Sequence, residues 1–416
     1  MNEKVSRRMF TKAGLMASAA FPYLLPRSAV GANDRIRVGV IGVGNRSGLL
    51  IDQLPDGAEI VAVADCYRKR SEDAAAKRKA SWRIYDDHRQ LLEQKDIDGV
   101  IVGTNDHARV LCAIHAVQAG KDVYAEKPLS LYVAEGRVLE RAVRKYKRIL
   151  QVGSQQRSMA MNRVACDFVR SGGLGRIRLV LGVNYSEPVR TGAMPEDPVP
   201  EGMNWDMWLG QSEMRPFNPE LFTHWMRYWD YSGADMTNWG AHGIDQVQSA
   251  LGMDGTGPVE FWPLADAPRG AVGWRYGNGV EVRLEMPAGG TLQGGAMFIG
   301  EKGRIEITRN DFRTDPPNLI KELPPADEVD KWKRAQWQAK YHMQNWLDCM
   351  RSRKTPLADV EIGHRSISVC HLANITRQLG RKLHWDPEAE RFTGDAEAND
   401  RLTRRRRKGY ELPEIG

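Results

Sequence analysis

The sequence is poor in cysteine and contains no paired-cysteine motif. Five cysteines occur among 416 residues, widely spaced and without a C-x-x-C pair: Cys66, Cys112, Cys166, Cys349 and Cys370. An odd, scattered set argues against a zinc site and against a disulfide framework. We therefore predict no metal site, and we expect Cys66, Cys112 and Cys370, which lie in apolar runs, to be small buried side chains.

The sequence also lacks a hydrophobic run that would suit a bilayer. The apolar stretch Ala13–Leu25 is too short to cross one as a helix, so we predict no stable membrane span. It follows Ser6–Lys12, which resembles a twin-arginine export signal, and precedes small residues that suit cleavage at Val30–Ala32. We predict that residues 1–32 are a signal peptide and that the protein is exported, to the periplasm or beyond. A basic N-terminus of a cytoplasmic protein is the alternative.

A large excess of one charge is missing as well. The formal net charge is +7, and residues 1–32 hold five cations against one anion, so the remainder is close to balance. We predict no nucleic-acid partner. The basic run Arg404–Lys408 is expected to lie in a solvated C-terminal tail, residues 391–416. The length suits two domains.

The first half of the sequence alternates between apolar strands and helices. A strand at Ile36–Ile41 runs into Gly42 and Gly44, then into Asn45, Arg46 and an apolar helix start. Gly42 permits a tight turn, and Gly44 lets a pyrophosphate approach the N–H groups at the helix N-terminus. The pattern predicts a nucleotide-binding turn in which Asn45 and Arg46 also contact the cofactor.

A second strand, Glu59–Ala64, ends in Asp65, whose carboxylate can accept both ribose hydroxyl groups of NAD. A helix N-cap is the alternative role for Asp65. Arg68 and Arg70 are close enough in sequence to pair with the 2′-phosphate of NADP. Because that phosphate would be repelled by Asp65, NAD is favoured and NADP is left open.

Polar residues follow two more strands of this half: Thr104 and Asn105 after Val100–Gly103, and Glu126 and Lys127 after Asp122–Ala125. Alternating strands and helices predict a doubly wound parallel sheet that binds its ligand at the carboxyl ends of the strands. We therefore predict an α/β protein whose Rossmann domain covers residues 33–154, with these four polar residues at the cofactor.

The motifs together resemble those of the Gfo/Idh/MocA oxidoreductase family, which includes glucose–fructose oxidoreductase and inositol dehydrogenase. The likeness rests on Gly42-Val43-Gly44, Asp65, Glu126-Lys127-Pro128 and Gln151–Arg157, and it covers residues 33–390. It is greatest to the secreted branch that also contains NAD-dependent glycosidases. The resemblance implies a second α+β domain, residues 155–390, with an open, mostly antiparallel sheet, and a homo-oligomer formed through that sheet.

The resemblance also implies the catalytic residues. The family's lysine falls on Lys127 and its histidine on His242, while the aspartate four residues before the histidine falls on Asn238. On a helix such residues share a face, so Asn238 is expected to orient His242, with Asp245 or Asp235 supplying the missing charge. A lysine pKa near 10.4 must fall by about three units before the amine is a base at neutral pH. We therefore predict His242 as the general base or acid and a charged Lys127 beside the reacting oxygen.

Substrate contacts are expected from the second domain: Gln155, Arg157 and Asp245, and Trp205 and Tyr228 from the aromatic-rich segment 187–232. Sugar rings stack well on aromatic side chains, so this segment predicts a saccharide cleft, with a locally packed cap as the alternative. The prediction is an NAD(P)-dependent oxidoreductase that acts on a CH–OH group of a sugar or cyclitol and retains its cofactor. The alternatives are an NAD-dependent glycosidase, which oxidises a glycoside transiently and eliminates its leaving group, and a non-catalytic sugar-binding relative.

Overall fold

The structure, a computed structural model, describes residues 35–265, 270–332 and 337–415. The predicted signal peptide lies outside the described residues, so export stays a prediction. Within the described ranges, no helix has both the length and the apolar character needed to cross a bilayer.

A six-stranded parallel sheet forms the first domain. Its strands are β1 (Ile36–Ile41), β2 (Ala58–Ala64), β3 (Arg83–Tyr85), β4 (Gly99–Val102), β5 (Asp122–Ala125) and β6 (Leu150–Val152). Its helices are α1 (Asn45–Asp52), α2 (Arg68–Arg78), α3 (His88–Leu92), α4 (Asp106–Gln118) and α5 (Val133–Lys145). The strand order β3-β2-β1-β4-β5-β6 is that of the dinucleotide-binding fold. The predicted Rossmann sheet is confirmed.

A nine-stranded sheet forms the second domain, in the order β13-β12-β11-β7-β10-β9-β8-β14-β15. Its strands are β7 (Ile177–Val183), β8 (Pro258–Pro263), β9 (Val272–Tyr276), β10 (Glu281–Met286), β11 (Ala296–Gly300), β12 (Gly303–Thr308), β13 (Asp311–Asp315), β14 (Leu383–Asp386) and β15 (Arg391–Phe392). Only the β7–β10 pair is parallel, so the predicted open, mostly antiparallel sheet is also confirmed.

Nine helices accompany this sheet in the described ranges: α6 (Ala160–Arg170), α7 (Trp205–Leu209), α8 (Pro219–His224), α9 (Ala234–Asn238), α10 (Gly240–Leu251), α11 (Ala326–Asp330), α12 (Lys340–Ser352), α13 (Val360–Leu379) and α14 (Ala396–Asn399). Helix α12 joins the two domains, because Trp346 and Met350 belong to the apolar cluster on one face of the parallel sheet. A Cβ on Gly99 of β4 would lie 3.0 Å from the Trp346 ring and 2.9 Å from Met350. The close packing explains a glycine in a central strand.

The prediction of a solvated tail over residues 391–416 is wrong. Phe392 of β15 is buried, and the arginines that follow have partners. Arg406 forms an ion pair with the buried Glu135, and Arg404 donates to the backbone oxygen of Asp230 at 2.8 Å. These acceptors lie far away in the sequence, so a count of local charge does not reveal them.

Candidate active site

The turn between β1 and α1 requires glycine at its first position. Gly42 has a φ of +81°, and a Cβ there would lie 2.9 Å from the backbone of Thr104. A Cβ on Gly44 would meet nothing within 4 Å, so the space beside the first turn of α1 is open. Asn45 is exposed at the start of that helix. The geometry matches the predicted approach of a phosphate to the helix N-terminus.

Asp65 is buried at the end of β2, and both of its carboxylate oxygens accept backbone hydrogen bonds. Oδ2 accepts from the N–H of Val43 at 2.7 Å, and Oδ1 from the N–H of Tyr67 at 2.9 Å. Burial raises the pKa of this carboxyl, and the two N–H groups oppose the shift. Each oxygen keeps a second lone pair. The N-cap of α2 is Tyr67, which excludes the alternative role for Asp65.

A cleft with about 840 Å³ of empty space, partly open to solvent, lies at the carboxyl edge of the parallel sheet. Four of the predicted cofactor residues line it: Gly42, Asp65, Thr104 and Asn105. The opposite wall belongs to the second domain and includes Met207, Trp208, Gln211 and Tyr410. Arg70 also lines the cleft, whereas Arg68 pairs with Glu72 and Asp86 at the surface.

The aromatic-rich segment forms a packed cap over this cleft, so the alternative reading of that segment is the correct one for most of its residues. Trp205 is buried, stacks on Trp208 at 4.4 Å between ring centroids, and donates its indole N–H to the backbone of Arg215. The prediction that Trp205 contacts substrate is therefore wrong, since the side chain is buried, packs against Trp208 and Phe217, and has its polar atom engaged. Tyr228 is half-buried at the edge of the same cluster, and its role as a substrate contact stays a prediction.

Lys127, at the end of β5, reaches across to the second domain. Its Nζ donates to Oδ1 of Asn238 at 2.6 Å and to the backbone oxygen of Asn238 at 3.0 Å. Burial lowers the pKa of Lys127 to about 8, against the opposing influence of Glu126 and Asp106. At neutral pH the ammonium form of Lys127 therefore still predominates, as the sequence predicts, and the neutral amine becomes the major form above about pH 8.

His242 is buried in the first turn of α10, at 3% exposure. Burial lowers its pKa well below the ordinary value, and the positive charges of Arg309 and Lys127 lower it further. The imidazole is thus neutral at neutral pH, and it lies within the electrostatic reach of the Lys127 amine. This electrostatic influence supports a site shared by the two side chains, which stays a prediction.

The predicted partners of His242 are wrong. Asn238 ends α9 and Trp239 separates it from α10, and the Asn238 side-chain oxygen accepts from Lys127 instead of from His242. Asp245 accepts from Nε of Arg157 at 2.7 Å and from Oγ of Ser366 at 2.8 Å. Asp235 is 3.4 Å from Oγ of Ser186.

Arg157 and Asp245 are also unsuited to the substrate role predicted for them. The Arg157 guanidinium is buried, and its remaining N–H groups pair with Asp254 at 2.7 and 2.9 Å. Since both side chains are already satisfied and enclosed, we correct the prediction: they form a structural ion-pair network. Gln155 is buried beside Glu126, and its Oε1 has no hydrogen-bond partner. Its substrate role stays a prediction.

Glu126 and Arg46 form a buried ion pair at 2.8 Å that ties the end of β5 to the first turn of α1. Glu126 also accepts from the backbone N–H of Lys127 at 3.1 Å. A Cβ on Gly153 would lie 2.9 Å from the Glu126 carboxylate. The pair therefore connects the backbone at Lys127 to the first turn of α1.

Several residues of the site were missed by sequence reasoning. Arg309, in the turn between β12 and β13, is 3.4 Å from Oε1 of Gln156 and lies over the Trp337 ring at 5.7 Å. Trp337 in turn packs against Trp239, beside His242. No short motif marks these positions, because they converge from separate parts of the chain.

The residues fit a dinucleotide. The open face at Gly44, the free N–H groups at the start of α1 and the spare lone pairs of Asp65 suit a phosphate and a ribose. The cleft lined by Asp65 has an apolar wall on the cap side. These features would hold the nucleotide, with Lys127 and His242 at the other end of the same sheet edge.

Family models support this reading across both domains. Residues 36–154 match the model described as the NAD-binding Rossmann fold of an oxidoreductase family, and residues 183–412 match the C-terminal α/β domain of that family. The fold and the matched models thus define a member of an oxidoreductase family with an NAD-binding Rossmann domain. The chain belongs to the Gfo/Idh/MocA family, as the motifs predicted.

The curated relatives match over part of their length. Inositol 2-dehydrogenase of Salmonella typhimurium is 28% identical over 172 residues, which is 40% of this chain and 50% of that protein. Inositol 2-dehydrogenase/D-chiro-inositol 3-dehydrogenase of Lacticaseibacillus casei is 34% identical over 127 residues, 29% of this chain and 36% of that protein. The chain therefore spans half or less of these relatives' length.

Solved structures share the whole fold. The WlbA dehydrogenase from Bordetella pertussis, in complex with NADH and UDP-GlcNAcA, superimposes with a TM-score of 0.60 at 21% identity, over 85% of this chain and 99% of that one. The aldose–aldose oxidoreductase from Caulobacter crescentus gives 0.59 at 16% identity, over 84% and 99%. At these identities the likeness establishes the fold.

Proposed function

We propose that the protein is an NAD-dependent oxidoreductase acting on a CH–OH group of a sugar, a sugar derivative or a cyclitol. The observation that carries the proposal is the convergence of Lys127, Asn238 and His242 at the carboxyl edge of a dinucleotide-binding sheet. An amine and an imidazole there can hold a hydroxyl group and remove its proton. The names of the relatives, inositol dehydrogenases and an aldose–aldose oxidoreductase, support this class of substrate.

Lys127 is the proton acceptor in this proposal, which reverses the roles predicted from the sequence. A neutral amine has two N–H groups and one lone pair. The two acceptors on Asn238 match the two N–H groups, so the lone pair is left for the hydroxyl proton. A pKa near the working pH suits a general base, and that of Lys127 is about 8. The neutral His242 positions the hydroxyl, and bound NAD supplies the hydride acceptor.

The pH dependence of two variants tests this assignment. With a panel of inositols and aldoses on the NAD-loaded protein, stopped-flow NADH absorbance follows a single reduction of the bound cofactor. The second-order rate constant of the wild type for that reduction, which corresponds to kcat/KM, should rise as the pH passes about 8. Lys127→Met should still bind NAD, but its rate should no longer rise with pH and should be lower by about a hundredfold or more. His242→Ala should keep the rise at a reduced rate. A rise that survives in Lys127→Met and vanishes in His242→Ala would return the base role to His242.

Retention of the cofactor is part of the proposal, and the C-terminal segment supports it. We define this segment as residues 401–415. Arg407 donates to the backbone oxygen of Gly210 and pairs with Asp206 at 2.6 Å, and the Tyr410 hydroxyl also donates to Asp206 at 2.6 Å. Because Tyr410 and Gly210 both line the cleft, these contacts close the cap over the nucleotide site.

An enzyme that does not release its cofactor must restore it within each turnover. Transfer of hydride between two sugars does so. Transient oxidation of a glycoside also does so, provided that elimination and hydration are followed by return of the hydride to the oxidised carbon. We keep the glycosidase as the second candidate because the closed cap suits both reactions. Incubation with aryl glycosides distinguishes them: a glycosidase releases the aryl alcohol without accumulating NADH, whereas a sugar oxidoreductase leaves the glycosidic bond intact.

We further propose a homo-oligomer formed through the nine-stranded sheet. Leu181 opposes Met297 and Leu179 opposes Ile299 across the β7–β11 pair, and three of the four are only partly buried. This apolar row lies on the face opposite α10 and would be covered by a second copy. Leu181→Glu should lower the mass measured by light scattering, and an unchanged mass would exclude this face.

A further inference from the structure

Arg309 is a largely enclosed cation without an anionic partner. Among the described residues, its one hydrogen bond runs from Nη1 to Oε1 of Gln156, at 3.4 Å, and its buried Nε has no partner. Across the ranges that the structure describes, no carboxylate lies within ion-pair distance of it. Burial lowers the pKa of Arg309 to about 10, and the charge of Arg46 adds to that shift, so the guanidinium is still charged at neutral pH.

The neighbouring charges do not compensate for the positive charge of Arg309. Glu126 is the nearby carboxylate, and it is already paired with Arg46 at 2.8 Å. Arg46 itself has a buried Nη2 without a hydrogen-bond partner. With Lys127 in the same region, positive charge is in excess. A buried cation without a partner is costly, so this arrangement suits a negatively charged ligand.

The position of Arg309 indicates which part of the ligand carries that charge. Arg309 exerts the largest effect of any charge on the pKa of His242. Gln156 links the two: its Oε1 faces Arg309, and its Nε2 donates to the backbone oxygen of Gly294, where a Cβ would lie 3.7 Å from that of His242. Arg309 thus belongs to the second domain, beside the residue that we assign to the substrate hydroxyl.

We propose that Arg309 is a subsite for a carboxylate on the substrate, which makes the substrate an acidic sugar such as a uronic acid or its glycoside. This inference rests on the proposed function. A guanidinium binds a carboxylate through paired N–H groups. Nε of Arg309 is enclosed and lacks a partner among the described residues, so a carboxylate that binds Nε and the neighbouring Nη2 would satisfy it. The Arg309 guanidinium already lies over the Trp337 ring, 5.7 Å from its centroid.

A cofactor phosphate is the other anion that could reach this region. The open glycine turn at Gly44 lies on the first domain and already offers the N–H groups of α1 to a phosphate. Arg309 faces His242 from the second domain instead. Replacing Arg309 would weaken NAD binding if the arginine binds a cofactor phosphate, and it would weaken sugar binding if the arginine binds a substrate carboxylate. The experiment therefore measures the affinities for both cofactor and sugar.

The test compares matched acidic and neutral sugars on the NAD-loaded protein: D-glucuronate with D-glucose, D-galacturonate with D-galactose, and the 4-nitrophenyl β-glycosides of glucuronate and glucose. Calorimetry gives Kd, and NADH absorbance or nitrophenol release gives turnover. The wild type should prefer at least one acid by about tenfold to a hundredfold. Arg309→Gln should lose that preference with unchanged NAD affinity, and Arg309→Lys should keep part of it.

Arg313→Gln is the matched control, because Arg313 is exposed on β13 of the same hairpin, and it should behave as the wild type. A loss of NAD affinity in Arg309→Gln would assign the arginine to the cofactor and overturn the subsite. An Arg309→Gln protein that retains the preference for acidic sugars would also overturn the subsite. A wild type that binds and oxidises only neutral sugars would overturn the subsite and leave the proposed function in place. A wild type that binds neither acidic nor neutral sugars would overturn the proposed function as well.

Discussion

The Nζ of Lys127 donates hydrogen bonds to both oxygen atoms of Asn238, the side-chain oxygen at 2.6 Å and the backbone oxygen at 3.0 Å. The two residues belong to different domains, so the contact joins the cofactor sheet to the substrate domain. An amide accepts these bonds without adding negative charge. The pKa of the buried lysine therefore remains at about 8, and the departure from the family's aspartate has a chemical consequence.

Asn238→Asp should move the pH dependence of activity to higher pH. A carboxylate at hydrogen-bond distance stabilises the ammonium and raises the pKa of Lys127 by about one to three units. Since the neutral amine is the active form, the rise in kcat/KM should begin at a correspondingly higher pH. Asn238→Ala, which removes the side-chain acceptor without adding charge, is the control and should not shift the rise upward. Identical profiles for Asn238→Asp and the wild type would contradict the coupling.

Asp65→Asn should reduce the preference for NAD over NADP by about tenfold. The amide loses the charge that repels a 2′-phosphate and one of the acceptors for the ribose hydroxyls, while Arg70 remains in the cleft. Fluorescence titration with both reduced cofactors measures the two affinities. Asp86→Asn is a suitable control, because Asp86 also lines the cleft but pairs with Arg68. An unchanged ratio in Asp65→Asn would remove Asp65 from the cofactor site.

The double variant Arg407→Ala/Tyr410→Phe should speed the release of bound NAD by about tenfold or more, since it removes charge-assisted hydrogen bonds to Asp206. The measurement is the rate of exchange of bound cofactor for labelled NAD. Arg405→Ala provides the control, because Arg405 is exposed within the same basic run. Equal exchange rates in all three proteins would show that the C-terminal segment does not hold the cofactor.

Asp245→Asn should lower the free energy of unfolding by about 3 kcal/mol, because it removes one partner of a buried ion pair. Urea denaturation measures this loss, while kcat/KM of the folded protein should stay near the wild-type value. Asp254→Asn should cost less, since the Asp254 side chain is 32% exposed and Arg157 would keep Asp245. A large fall in kcat/KM at unchanged stability would restore Asp245 to the substrate site.

The sequence predicts the first domain well because its signals are local. The strand ending in Gly42 and the one ending in Asp65 place their residues at one sheet edge by a general rule of parallel sheets. The position of Lys127 at the same edge, after the strand that ends in Ala125, follows from the same rule. No contact between distant parts of the chain is needed for these three positions.

The second half of the site depends on long-range contacts that no spacing reveals. Asn238 and His242 are four residues apart, yet the side chain of Asn238 binds Lys127, which is 111 residues away in the sequence. Arg309 enters from a hairpin turn with no motif around it. The basic run near residue 406 has the composition of a solvated tail, and only the folded chain brings Glu135 to it.

The cap and the C-terminal segment, which cover the cleft, limit how the protein can be divided into fragments. A fragment that ends at residue 154 would contain the glycine turn and Asp65, but neither Trp208 nor Tyr410. It would also lose α12, whose Trp346 covers one face of its sheet. The nucleotide domain is therefore continuous in sequence but does not form a complete binding site by itself. Excising it should yield a poorly soluble protein with an open groove.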